Sequence, residues 1–214
     1  MSFITNIYNY VLKILSTCLV CRSNNGVICE NCEQQFKIIY NNTPQMFNNY
    51  PLFVPYKYDN PIIGLILKFK YNNKHHLADY FAKQIHEICN IPGDDVVYVP
   101  IPISKYKLIK RGYNQTVLLA NSMKDYGIQY KNHRNITIGS RVLKTSNKYH
   151  NFNADVDQRK QKASMIELDD ITSIINKSII IIDDVMASGS TIERVIHLLE
   201  PYVKNISIVV IAKT

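Results

Sequence analysis

Two stretches of the 214-residue chain could do chemistry. The first, "CLVCRSNNGVICENC", places Cys18, Cys21, Cys29 and Cys32 as two CxxC pairs separated by seven residues. Two residues between thiols suit a tight turn that aims both sulfurs at one tetrahedral ion. The intervening "RSNNGV" has the Asn-Gly chemistry of a hairpin tip. This spacing predicts a structural zinc knot, and four thiolates leave no open position for catalysis. Disulfides are the alternative, and they fit poorly in a chain without a secretion signal. The second stretch, "IIIIDDVMASGST" (179–191), runs four isoleucines into two aspartates and then into a turn of small, hydroxyl-bearing residues. Backbone N–H groups at such a turn, ahead of a helix, favour an anion. A phosphate cradle beside two carboxylates fits a sugar phosphate, with Mg²⁺ helping to balance charge. The blander alternative is a strand ending in a capped helix, with both aspartates solvated.

The elements that must position these residues follow from periodicity. "PLFVPYKYD" (51–59) is expected as a strand, and Asn60-Pro61 as the cap and first position of a helix containing Ile62, Leu65, Ile66 and Phe69. "HHLADYFAKQIHEIC" predicts a second helix, with His75, His76 and His86 exposed and Cys89 buried as an apolar residue. "DDVVYVPIP" is expected as a strand, and Asn114 to Tyr126 as a helix closed by Gly127. "SIIIID", "STIERVIHLLEPYV" and "NISIVVIAK" then read as strand, helix and strand. Strands alternating with helices predict an α/β fold, a mostly parallel twisted sheet flanked by helices. Ligands of such sheets sit at the carboxyl ends of the strands.

Composition sets the outer limits. The chain is 46% hydrophobic and 20% charged, as expected of a globular protein. No stretch approaches the roughly 18 apolar residues of a membrane span. Phe3, Ile4, Ile7, Val11 and Leu15 recur at helical spacing and no basic leader precedes them, so an N-terminal amphipathic helix and a cytoplasmic location are expected. The net charge of +8 is concentrated: residues 101–162 hold 13 Lys and Arg against three Asp and no Glu. That excess suits an anion-binding face, or else an ordinary solvated one. Residues 139–163 are polar, basic and weakly patterned, as expected of a long mobile loop.

The thirteen residues 179–191 resemble the phosphoribosyl-pyrophosphate (PRPP) motif of type I phosphoribosyltransferases. The resemblance implies that Asp183 and Asp184 bind the ribose hydroxyls. It also implies that Ala187, Ser188, Gly189, Ser190 and Thr191 wrap the 5′-phosphate. A four-cysteine knot, "ILKFKYNNK", "VPIPISKYKLIKRGYNQ" and the PRPP motif, in this order over nearly the whole chain, resemble the ComF family of competence proteins. That family's fold implies a zinc-binding knot over residues 1–45 and a phosphoribosyltransferase-like domain over 46–214. It makes Lys110 and Arg111 candidate diphosphate contacts, with Lys68 of "LKFKY" a third basic candidate. Arg141, Thr145 and Arg159 fit the family's later pattern, whereas Lys148 and Lys162 stand where Gln and Asn are expected.

Three functions compete. The resemblance implies a PRPP- and Mg²⁺-binding protein that handles single-stranded DNA during uptake, with a cytoplasmic helicase or membrane channel as partner. The basic segment offers Arg141, Lys144 and Lys148 as nucleic-acid contacts, with tyrosines 106, 113, 126, 130 and 149 among the charges. The second function is metabolic phosphoribosyl transfer to an unassigned acceptor, and the third is a zinc-braced interaction module with a vestigial PRPP site. No glutaminase nucleophile or base pocket is legible, so enzyme status stays open.

Overall fold

The structure, a computed structural model, describes residues 17–24, 26–89, 91–145 and 166–214. The expected N-terminal helix, Lys148, Tyr149, Arg159 and Lys162 lie outside the described residues.

Along the chain, a one-turn helix α1 (Glu30–Glu33) is followed by strands β1 (Gln45–Phe47), β2 (Tyr50–Phe53) and β3 (Tyr56–Lys57). Helices α2 (Ile62–Tyr71) and α3 (Leu77–Cys89) lead to β4 (Val96–Pro100), α4 (Lys105–Arg111), α5 (Gln115–Tyr130) and β5 (Thr137–Ile138). A small hairpin of β6 (Leu143–Thr145) and β7 (Ile166–Leu168) precedes β8 (Ser178–Met186), α6 (Ser190–Leu199) and β9 (Asn205–Lys213).

The main sheet has seven strands in the order β1-β2-β9-β8-β4-β5, with β3 also pairing with β9. Every pairing is parallel except β1 with β2. Parallel strands are covered on both faces and so read as continuous apolar runs; this is why β8 carries four consecutive isoleucines. Ile180 and Ile182 pack with Tyr98 and Ile211 beneath α2, α3 and α5. Ile179 and Ile181 pack with Val99 and Val210 beneath α6, which buries Ile192, Val195 and Leu199. Each fully buried isoleucine contributes about 1.5–3 kcal/mol relative to exposure.

The fold matches the expected α/β plan, with several local differences. The segment 51–59 forms two short strands on β9 rather than one. The Asn60–Pro61 bond is cis, and the helix starts at Ile62. Helix α5 runs through Gly127 to Tyr130, so this glycine is no cap. A Cβ there would stand 2.8 Å from His133 Nδ1, and the glycine makes room for that ring. His86 is buried rather than exposed, its Nε2 2.9 Å from the Met123 carbonyl. Burial is the first cause that holds its pKa down, to about 4. Cys89 is fully buried, as expected.

Candidate functional site

Strand β4 ends opposite Ile182, and the Ile101 N–H makes the last bond to the Ile182 carbonyl at 2.9 Å. Strand β8 runs on to Met186, bonded only to β9. The two aspartates therefore stand where one neighbouring strand has stopped, at the carboxyl edge of the sheet. They do not share an environment. Asp183 is partly buried and opens into a cavity of about 110 Å³ that it lines with Ala187, Ser188, Gly189, Ser190 and Thr191. The structure thus brings six of the seven expected PRPP-motif residues to one concavity. The turn is closed by Gly189, whose φ of +80° lies in the left-handed region that favours glycine. A Cβ on it would stand 2.6 Å from the Phe47 ring of the β1–β2 hairpin. Glu193 N–H donates to the Gly189 carbonyl at 2.9 Å, starting α6 behind the loop.

Asp184 is the seventh, and it is turned the other way. It is 5% exposed, with Lys70 Nζ 2.7 Å from Oδ1 and Gln115 Nε2 donating to Oδ2 at 2.5 Å. The expectation that both carboxylates face solvent or ligand is corrected for this residue. Its face of the strand is the one covered by α2 and α5, and those helices supply both partners.

The partners extend into a buried chain of polar groups. Gln115 Oε1 accepts from Arg111 Nη1 at 2.7 Å, and Arg111 Nη2 donates to Tyr71 Oη at 3.0 Å. The Arg111 guanidinium also lies 4.8 Å from the Tyr71 ring centre, a cation–π distance. Arg111 is 8% exposed, and its Nε has no partner among the described residues. The hydrogen bond from Arg111 is the first cause that lowers the Tyr71 pKa. For Asp183, burial and then the adjacent Asp184 raise the carboxyl to about 7, with Lys70 and Lys107 pulling it back.

Each residue of "RGYNQ" has a place in this architecture. Arg111 ends α4, and Gly112 turns the chain with φ +79°. The Tyr113 hydroxyl donates to the Phe69 carbonyl of α2. Asn114 caps α5, accepting from the Thr116 N–H at 3.1 Å while its Nδ2 donates to the Ile101 carbonyl at 3.2 Å. Gln115 joins the arginine to the aspartate.

The other candidates separate. Lys110 is exposed, 5.8 Å from the Tyr71 ring centre and on the same helix as Arg111. Lys68 is not brought to the site: its ammonium donates to the Leu19 carbonyl in the cysteine knot. Lys70, two residues on, reaches Asp184 instead. Lys144 lies 2.9 Å from Asp169, and Arg141 lies 4.0 Å from Asp170. Acids from outside the basic segment thus sit beside two of the three nucleic-acid candidates. Lys105, Lys107 and Lys110 on α4 have no acidic partner among the described residues. The same helix exposes Tyr106 (71%) and Ile109 (75%).

The knot gathers all four expected ligands, their sulfur atoms lying within 4.8 Å of one another. Backbone N–H groups of Val20 and Cys29 each donate to Cys18 Sγ at 3.4 Å. Hydrogen bonding from Ser23 brings Cys21 down to about 6, while burial and then the neighbouring sulfurs push Cys32 up to about 12. A dication relieves that crowding, and the donor set fits tetrahedral zinc. Phe36 packs edge-on to Tyr56 and ties the knot to the body.

A larger cavity of about 720 Å³ lies at the opposite edge of the sheet, lined by Tyr50, Asp94, Ser178, Glu200 and Lys204. Parallel sheets bind ligands at the carboxyl edge, which favours the smaller cradle. No helix among the described residues is long and apolar enough to cross a membrane.

Residues 113–214 match the phosphoribosyl transferase domain family. With this match over its C-terminal part, the fold is phosphoribosyltransferase-like, with a four-cysteine cluster near the N-terminus. Similar solved structures include the allosteric regulatory enzyme of purine biosynthesis, with 13% identity and a TM-score of 0.43; the match covers 67% of this chain and 29% of that one. A hypoxanthine phosphoribosyltransferase from Staphylococcus aureus has 17% identity and a TM-score of 0.37, covering 65% of this chain and 62% of that one. A hypothetical protein from Neisseria gonorrhoeae with bound ppGpp has 11% identity and a TM-score of 0.37, covering 67% and 69%. The chain therefore spans less than two thirds of the first two. No curated protein matches it in sequence.

Proposed function

We propose that this protein binds PRPP with Mg²⁺ at the cradle formed by Asp183 and residues 187–191. One observation carries this: an aspartate and a glycine-closed turn share one concavity at the carboxyl edge of a parallel sheet. The loop N–H groups and the start of α6 suit the 5′-phosphate. Asp183 suits the ribose hydroxyls, and Lys110 and Arg111 are the candidates for the diphosphate. Mg²⁺, bound through carboxylate and phosphate oxygens, would supply counter-charge to that diphosphate. Zinc in the knot and a division into knot (1–45) and body (46–214) belong to the same proposal.

The particular protein we propose is a cytoplasmic ComF-type competence protein that handles single-stranded DNA during uptake, with the uptake helicase or channel as partner. The order of knot, "LKFKY", "RGYNQ" and PRPP motif supports it, as does the exposed face of α4. Lysines interleaved with an exposed tyrosine suit phosphates and unpaired bases. This helix connects to Asp184 through Arg111 and Gln115, and its lysines lack the acidic neighbours that stand beside Arg141 and Lys144. A metabolic phosphoribosyltransferase is the alternative.

Calorimetry with PRPP and Mg²⁺ tests the cradle, and a saturable one-to-one isotherm is expected. No heat and no thermal shift at millimolar PRPP would defeat it. Pyrophosphate release in an acceptor screen would favour the metabolic alternative. Failed transformation of a deletion strain, restored by wild type but not by Asp183→Asn, would favour competence.

A further inference from the structure

A cation stands beside the proposed cradle, on the other face of β8: Lys70, paired with Asp184. Both oxygens of Asp184 are engaged, Oδ1 by Lys70 at 2.7 Å and Oδ2 by Gln115 at 2.5 Å. An incoming divalent cation therefore meets one open carboxylate, Asp183, and one already neutralised. The two cationic neighbours of this region differ in how they are held. Arg111 is fixed by Gln115, by the Tyr71 hydroxyl and by the Tyr71 ring. Lys70 is a point charge on a flexible stem, with Asp184 as its ion-pair partner among the described residues and a side chain 18% exposed. A diphosphate carrying a divalent cation brings a competitor for each member of the pair: the cation for Asp184, the anion for Lys70.

We propose that Lys70 is an exchangeable counter-ion of this site. In the ligand-free protein it neutralises Asp184; when cation and diphosphate enter together, it transfers to the diphosphate and the cation's charge takes its place. The buried carboxylate is never left without a partner, the state that buried charges most disfavour. The exchange also makes the ligands cooperative, because neither the cation nor the anion alone displaces the pair. A lysine suits the position, since an arginine fork would hold the carboxylate in both situations. This inference rests on the cradle being a PRPP site, and it adds the residue that regulates cation entry.

The test uses the full chain, with Mn²⁺ alone, Mg²⁺ with inorganic pyrophosphate, and Mg²⁺ with PRPP as probes. In Lys70→Met, Mn²⁺ alone should bind about tenfold more tightly at pH 8, by water-proton relaxation, because its competitor is gone. Mg²⁺-pyrophosphate and Mg²⁺-PRPP should bind about tenfold more weakly by calorimetry. Lys70→Arg should keep the pair and leave Mn²⁺ affinity at the wild-type value. Mn²⁺ affinity unchanged or weakened in Lys70→Met would overturn the exchange. If Lys70→Met fails to fold, reductive ¹³C-methylation of wild-type lysines gives a second readout. The Lys70 resonance, assigned by its loss in Lys70→Arg, should shift with Mg²⁺ and pyrophosphate together and stay put with either alone; no shift with both would overturn the proposal. Wild-type protein that binds neither PRPP nor pyrophosphate defeats the cradle and the exchange with it. Wild-type protein that binds both, and is matched by Lys70→Met on all three probes, defeats the exchange alone.

Discussion

Replacing the two adjacent aspartates one at a time should give clearly unequal stability results. Arg111 is a donor only, so Gln115 must turn its carbonyl toward Arg111 and its amide toward Asp184. An asparagine at 184 loses the charge that Lys70 pairs with and can offer only one acceptor to two donors. Breaking a buried pair costs about 3–5 kcal/mol; the residual 18% exposure of Lys70 lets water share the charge and brings the loss to about 3 kcal/mol. For a chain of this size that is a fall of roughly 6–12 °C in Tm. Asp183→Asn should change Tm by no more than a few degrees in either direction. Its amide oxygen can still accept from the Asp184 N–H, which Asp183 Oδ1 does at 2.8 Å, and it relieves the like-charge contact. Differential scanning fluorimetry measures both variants, and Mg²⁺-PRPP titration should show both with impaired binding. Adding Lys70→Met to Asp184→Asn should recover at least half of the lost stability, since the two sites are coupled. Equal Tm effects for the two single variants, or no recovery in the double variant, would refute the inward placement of Asp184.

Asp183 also gives a pH signature. Its folded pKa is raised above the ordinary carboxylate value, so its contribution to ligand-free stability is complete at acid pH and is lost as pH rises through about 7. Mg²⁺-PRPP affinity should climb over the same range, and Asp183→Asn should flatten both profiles, as thermal scans and calorimetry from pH 5.5 to 8.5 will show. Zinc should copurify at about one ion per chain, and Cys29→Ser should lower the metal content and cost several kcal/mol, checked by elemental analysis and thermal scans. Charge reversal of Lys105, Lys107 and Lys110 should weaken single-stranded DNA binding and reduce the salt slope by about 2; reversal of Arg141 and Lys144 should do less, because Asp169 and Asp170 already stand beside them. Fluorescence anisotropy across a salt series separates the two variants.

The parallel sheet and the gathering of residues 183 and 187–191 were legible because they depend on local patterns: β-branched runs, a small-residue turn and a following amphipathic helix. What was not legible depended on which side of an element meets the body. Lys68 and Lys70 are two residues apart, so they lie on different faces of α2. "LKFKY" cannot say which lysine meets the knot and which meets the sheet. Asp184 was expected to face ligand or solvent with Asp183, because acids at strand ends usually do; its burial required a glutamine and a lysine from two separate helices. The basic excess counted over 101–162 does not show that Arg141 and Lys144 have acidic neighbours, because Asp169 and Asp170 come from beyond that window. The burial of His86 followed from Gly127, whose missing side chain admits His133 beside it.

The position of β9 has a consequence for how the protein is made. This strand pairs with β8 along one edge and with β2 and β3 along the other. Segments 50–57 and 178–186 therefore meet only through residues 205–213. During synthesis the early strands have no parallel partner until the strand up to residue 213 has left the ribosome, and the nascent chain carries exposed edges and isoleucine-rich surface up to that moment. Long-range parallel pairing of this kind is slow and prone to association. A ribosome-stalled chain ending before residue 205 should remain protease-sensitive, whereas a chain stalled after residues 205–213 have cleared the exit tunnel should be resistant.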